Sequence, residues 1–275
     1  MELFLDRQIG LPLNLSAIQN ALSPLLGGTS LGLASVPLIA LGNQNLSVEN
    51  IRTGEFGYKA ILNGRGFFSV DYYHNWMRNF ISDVFPGGNP LIPPYQAPTT
   101  LPLNVQAIVT TALNHAVAGL SNLPNGAPYV ALSLTNTGQV ESQGVEAEFS
   151  TEIVRHWQAG ANYSYFDFQI GDQKPGTQVH PNAPRHTFAT SGGYRSSRFN
   201  ADLRYRWVDQ LYWANGLLTG PVPAYGVVDF AALYDVTRHY KIGVQIDNLA
   251  NNAHYEVFGG DILKRRVLGY VAYSW

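Results

Sequence analysis

Twelve ionisable side chains fall at alternate positions of short segments: Glu55 and Lys59, Asp71, Glu146 and Glu148, Asp202, Arg204 and Arg206, Asp229, Lys241 and Asp247, and Arg266. Such rows suit non-covalent work. They can line a water-filled interior and grip a polar surface within it, or they can simply hydrate that interior and pair across strands. Metal chemistry has less support. His74, His115, His156, His180, His186, His239 and His254 are scattered with no i, i+4 pair, and the chain has no Cys. His180, His186 and His254 lie near expected loops, where weak contact with a ligand stays open. No G-x-S-x-G elbow sets a serine beside a histidine, and neither a phosphate loop nor a dinucleotide fingerprint occurs. No enzyme activity and no cofactor are expected.

The alternation identifies the elements that carry these groups. In residues 198–207, RFNADLRYRW, the odd positions are Phe199, Ala201, Leu203, Tyr205 and Trp207, while the even ones are Arg198, Asn200, Asp202, Arg204 and Arg206. A strand points successive side chains to opposite faces, so one face is apolar and the other polar. A helix would spread the charges around its circumference. The same period runs through 53–62, 65–76, 139–151, 157–169, 185–195, 225–235, 239–249 and 266–275, which predicts about nine strands. Asn63-Gly64 between the first two is a strong hairpin signal, since both residues tolerate φ > 0.

Composition narrows the environment. Charged residues make up 13% of the 275, about half the ~25% of a typical soluble domain, while aromatics reach 12% with 16 Tyr and 13 Phe. A surface so short of charge implies something other than water against it. The net charge of −2 leaves no basic footprint for nucleic acid. The longest apolar run, 31–41, is interrupted by Ser35 and Pro37 and is too short to span a bilayer as a helix. The first ten residues, MELFLDRQIG, carry charges where a signal peptide would have its apolar core.

The connections alternate in length. Tight turns are expected near 63, 155, 196 and 237, and long loops at 85–128, 171–184, 214–223 and 250–263. Outer-membrane barrels have this asymmetry, with short periplasmic turns and long extracellular loops. Aromatics gather towards the strand ends, as interfacial girdles would, and the last strand closes on Tyr273 and Trp275. The expectation is an all-β membrane protein: an antiparallel transmembrane wall of nine or ten strands over 51–275. Residues 1–50 are expected as an extracellular loop region with short helical turns, one of them ended by Pro24. The 85–128 loop carries a second helical pattern at 105–120. Outer-membrane lipid is the first partner implied.

Several motifs then carry a family resemblance. GNQNLSVENIRTGEFGYKA (42–60), NTGQVESQGVEAEFS (136–150), APRHTFATSGGYR (183–195), YGVVDFAALYDV (225–236), IDNLANNAHYEVF (246–258) and VLGYVAYSW (267–275) follow one another in an order that resembles the barrels of TonB-dependent outer-membrane receptors. The resemblance covers about 41–275. It departs from the family pattern at Val48, where Pro commonly precedes Glu49, and at the terminal Trp275, where Phe is commoner. Family barrels have ~22 strands around a plugged lumen, so the chain resembles their C-terminal portion. The plug and the segment that couples it to the TonB complex have no counterpart in it, which suggests a truncated or split receptor, or a fragment of one. The resemblance implies active uptake of a scarce large solute such as a ferric siderophore or cobalamin, with the twelve charges facing the plug or solute. A passive porin or a surface-binding barrel is the alternative.

Overall fold

The computed structural model describes residues 12–171, 179–215 and 218–274. In chain order its elements are α1 (Ser16–Leu26), β1 (Leu38–Ala40), β2 (Asn50–Leu62), β3 (Gly66–Arg78), β4 (Phe85–Pro86), α2 (Leu103–Ala116), β5 (Leu120–Asn122), β6 (Pro128–Ser133), β7 (Gln139–Val154), β8 (Trp157–Ile170), β9 (His186–Arg195), β10 (Phe199–Val208), β11 (Leu211–Asn215), β12 (Leu218–Val222), β13 (Tyr225–Asp235), β14 (Tyr240–Asp247) and β15 (Arg266–Tyr273). Nine of these form one antiparallel sheet in the order β15-β14-β13-β10-β9-β8-β7-β3-β2. With the insertions set aside, that order is the order of the chain, an up-and-down wall. Among the described residues the wall does not close, since β2 and β15 each pair on one side only.

Both kinds of connection fall where the alternation placed them. The short turns 63–65, 155–156, 196–198 and 236–239 share one end, and the connections 79–138, 171–185, 209–224 and 248–265 share the other. Asn63 (φ 50°) and Gly64 (φ 67°) both adopt the left-handed conformation of a tight hairpin turn.

Cross-strand register assigns each residue to a face. On one side Phe56 pairs with Tyr72, Tyr72 with Val145, and Val145 with Tyr165. On the other Lys59 pairs with Ser69, Ser69 with Glu148, and Glu148 with Asn162. The aromatic face carries its own ring contacts near the short turns. Trp157 meets Tyr194 edge-on at 5.1 Å, Tyr194 lies 6.1 Å from Phe199, and Tyr240 lies 5.0 Å from Tyr273.

The regions read as separate loops pack together. Residues 12–49 and 79–135 form a lobe at the long-connection end, with β6 pairing with β1, β4 and β5. All six residues of β6, PYVALS, are buried. Leu33, Val36, Tyr95, Val109, Leu113 and Leu120 belong to one apolar core between α1, α2 and this sheet. Its folding rule is long-range, so periodicity alone could not disclose it. Prolines at 93, 94 and 98 remove backbone donors, and the donors left between them find side-chain acceptors. Tyr95 N–H donates to Asn114 Oδ1 at 3.0 Å, Gln96 N–H to Asn122 Oδ1 at 2.7 Å and Ala97 N–H to Thr110 Oγ1 at 3.0 Å. Thr110 and Asn114, one turn apart on α2, thus read the backbone of the proline segment.

Two further expectations are corrected. Pro24 does not end α1, which continues to Leu26 and stops at Gly27 (φ 55°). The proline leaves the Asn20 carbonyl without its helical donor, and the Ser23 hydroxyl donates to that oxygen at 2.7 Å. The region 214–223, read as loop, belongs largely to a two-stranded hairpin, β11 with β12, rising from the wall.

Candidate functional site

The wall brings all twelve expected charges to one face, as the register requires: Glu55, Lys59 and Asp71 on β2 and β3, Glu146 and Glu148 on β7, Asp202, Arg204 and Arg206 on β10, Asp229 on β13, Lys241 and Asp247 on β14, and Arg266 on β15. Eleven of them separate into three neighbourhoods along the sheet, and Glu55 stands apart, opposite Tyr73 on β3. Tyr273 lies on the opposite, aromatic face beside Tyr240 and 6.2 Å from His239. Trp275 lies outside the described residues.

The first neighbourhood is acidic. Asp71 stands directly opposite Glu146, and Glu148 is two residues further along β7. Lys59 shares with the three carboxylates a cavity of about 360 Å³. None of the four takes part in an ion pair among the described residues. The Asp71 carboxylate lies over Gly57, its β2 partner, where any added side chain would collide with it. Like charges directly opposite each other are destabilising in a sheet, and Lys59, though it lines the same cavity, forms no ion pair with them among the described residues.

The second neighbourhood is ionically paired. Arg195 donates to Asp202 at 2.7 Å, Lys241 lies 3.3 Å from Asp235, and Arg266 donates through Nε and Nη2 to Asp247 at 2.8 and 2.6 Å. Gln245 Nε2 donates to the other Asp247 oxygen at 2.8 Å. Arg204 stands opposite Asp229 on β13 and Ser191 on β9.

The third is built by the strap 248–265, which folds over the charged face at its long-connection end. Asn248, buried and left-handed at φ 54°, starts it. Its N–H donates to Asp229 Oδ1 at 2.9 Å, and its side chain exchanges two 2.8 Å hydrogen bonds with the Asn252 backbone. The strap then brings Glu256 to within 2.9 Å of Arg206, whose guanidinium also lies 5.7 Å from the centre of the Tyr225 ring. Burial alone would raise the Glu256 carboxyl, but its hydrogen bond and charge contact with Arg206, helped by His254, hold it below the ordinary glutamate value. His254 stacks on Tyr225 at 4.5 Å, and its Nδ1 lies 2.8 Å from the Asn252 carbonyl. Its Nε2 is 3.5 Å from Glu256, an electrostatic contact too long for a strong hydrogen bond. Arg206, Asp229, Asp247, Glu256, Lys264 and Arg266 line a cavity of about 400 Å³ beneath the strap.

Sequence reasoning missed Glu256 and Lys264 as members of this site because they sit on a connection, where period carries no information, whereas His254, left open there as a weak ligand contact, does line the cavity. Arg195 and Asp235 were legible by alternation and went unselected at strand ends. The alternation also weakens at Phe166 and Phe168, which share the charged face with rings 6.3 Å apart. Of the histidines left open, His180 has its imidazole pushed down by burial and lies 4.5 Å from the Tyr212 ring. His186 accepts from or donates to the Tyr163 hydroxyl at 2.8 Å.

The family model described as "TonB dependent receptor-like, beta-barrel" matches residues 19–249. A curated relative, the ferric-pyoverdine BN7/BN8 receptor of Pseudomonas putida, is 27% identical over 122 residues, which make up 43% of this chain and 14% of that protein. Among solved structures, the copper transporter OprC superposes with a TM-score of 0.59 at 15% identity, over 84% of this chain and 32% of that one. The siderophore receptor PirA from Acinetobacter baumannii gives 0.56 at 15% identity over 90% and 35%. The pyoverdine receptor FpvA from Pseudomonas aeruginosa PAO1 gives 0.54 at 16% identity over 85% and 31%. The chain spans about a third of the length of these solved relatives.

Proposed function

The chain belongs to the TonB-dependent receptor-like β-barrel family of the bacterial outer membrane, and from that premise we propose that it forms the C-terminal part of the barrel wall of a receptor that imports a scarce large solute. A ferric siderophore is the favoured class, since the curated relative is a ferric-pyoverdine receptor. In this reading the aromatic face meets lipid and the charged face meets the barrel interior. The wall performs no bond chemistry. It supplies a polar, partly self-neutralised surface along which an occluding plug rests and solute passes.

The observation that carries this reading is the gathering of all twelve charges on one face of a wall whose long connections share one end. The paired neighbourhood near β14 and β15 is already neutralised within the wall. The acidic patch at Asp71, Glu146 and Glu148 is not, and it is the natural seat for a basic surface of the plug. Solute would meet the lobe, the β11–β12 hairpin and the strap first, because all three rise from the same end.

Uptake of ⁵⁵Fe-labelled ferric pyoverdine and of a ferric catecholate by the source bacterium, with and without this gene, tests the proposal. Loss of one uptake on deletion, with the same loss in a TonB-deficient strain, is expected. Uptake of both that is indifferent to the deletion would contradict it.

A further inference from the structure

On the aromatic face, polarity begins abruptly towards the lobe. In β8 the face reads Trp157, Ala159, Ala161, Tyr163 and Tyr165, then turns to Asp167 and Gln169. In β2 and β3 it reads Phe56 with Tyr72, then Gly54 with His74, Arg52 with Trp76, and Asn50 with Arg78. β2, β3, β7 and β8 run for 13, 13, 16 and 14 residues, more than the ~9–11 that a tilted span needs. With the apolar rows set in the hydrocarbon layer, the extra length at the polar, lobe-side ends reaches headgroup depth.

Other ionisable groups at that depth have partners. The His74 ring lies 3.3 Å from Glu141, and Arg185 donates to Asp167 at 3.1 Å. Arg52 and Arg78 differ, because neither guanidinium makes a side-chain hydrogen bond or ion pair among the described residues. They are diagonal neighbours across the β2–β3 pair, about 7–8 Å apart at the backbone and within mutual reach of long side chains. Both line a cavity of about 860 Å³ together with Trp76, the Gln139 amide, Asn79, whose amide also donates to the Val48 carbonyl at 3.2 Å, and one carboxylate, Glu141, so the two guanidiniums outnumber the acid. The Trp76 indole stacks on His74 at 4.1 Å and 12°, which holds it as one wall.

We propose that this cavity binds the phosphate of an outer-leaflet lipid. Two forked guanidiniums match phosphate geometry, the amides add donors, and Trp76 is the interfacial anchor beside the acyl chains. A free anion is a poorer occupant, because the apolar face directly below offers it nothing, whereas a lipid fills both halves of the site. Occupancy fixes the depth of the wall and braces the junction between β2, β3 and the lobe.

Native mass spectrometry of the detergent-solubilised protein tests this, with folding checked by gel mobility with and without heating. The probes are dioleoyl phosphatidic acid, dioleoyl phosphatidylcholine and inorganic phosphate. The wild type is expected to retain phosphatidic acid at least roughly tenfold better than phosphatidylcholine, since each near-surface arginine contributes a few-fold. Inorganic phosphate should not displace it at equal concentration. Folded R52Q/R78Q should lose the preference, and R198Q, at the short-turn end, should keep it. Absence of a preference in the wild type overturns the proposal whatever the variants do. A preference that survives in R52Q/R78Q, or is lost equally in R198Q, or displacement of the lipid by inorganic phosphate, overturns it too.

Discussion

Arg206, on the wall, and Glu256, on the strap, meet at 2.9 Å across fifty residues of chain. This contact turns a connecting loop into a lining of the barrel face. Glu256 is held below its ordinary value of 4.5 although burial pushes the other way, because the arginine favours the charged form. A carboxyl depressed in the folded state contributes stability that is complete above the unfolded value, and it is lost as pH falls through the lower, folded one.

The strap should therefore stay docked at neutral pH and loosen below about 4.5. A spin label at Ala253→Cys, introduced into this cysteine-free chain, reports it. Its motion should quicken on acidification, and Glu256→Gln should give the mobile spectrum already at pH 7. An unchanged spectrum in that variant would rule out the ion pair as the fastening.

The Asp71–Glu146 pair gives the opposite sign. Removing one charge of a directly opposed like pair should stabilise the wall where no cationic partner is present, by about 0.2–1 kcal/mol. Urea unfolding of the detergent-solubilised chain should show Glu146→Gln with a raised midpoint. A lowered midpoint would mean that the carboxylate has a favourable partner within the chain.

Leu113 is fully buried in the lobe core. Leu113→Ala should cost the lobe about 2–5 kcal/mol and leave the wall intact, since α2 has few contacts with the nine strands. Hydrogen exchange should quicken across 95–132 while the strands keep their protection. Equal loss of protection in both parts would show that lobe and wall fold as one unit.

The wall was legible and the lobe was not, for one physical reason. A strand with one apolar face writes its orientation into every second residue, so Leu203 and Arg204 declare their faces without reference to any neighbour. Asn63-Gly64 likewise declares a turn locally. The lobe depends on partners far apart in sequence: Leu38 meets Val130, and the Asn114 side chain meets the Tyr95 backbone. Its strands are short, and the longest of them, β6, is buried throughout, so they show no alternation. The strap has the same character, because Glu256 acquires its role only when Asn248 and Asn252 close the loop that delivers it.

The most direct measurement compares spin labels at Leu203→Cys and Arg204→Cys in lipid bilayers, through their accessibility to oxygen and to a polar nickel chelate. These neighbours occupy opposite faces of β10, paired with Phe230 and Asp229 respectively. Position 203 should favour oxygen, as in acyl chains, and position 204 should favour the chelate, as in a wet interior. Matching accessibility at the two positions would contradict a wall that divides lipid from lumen.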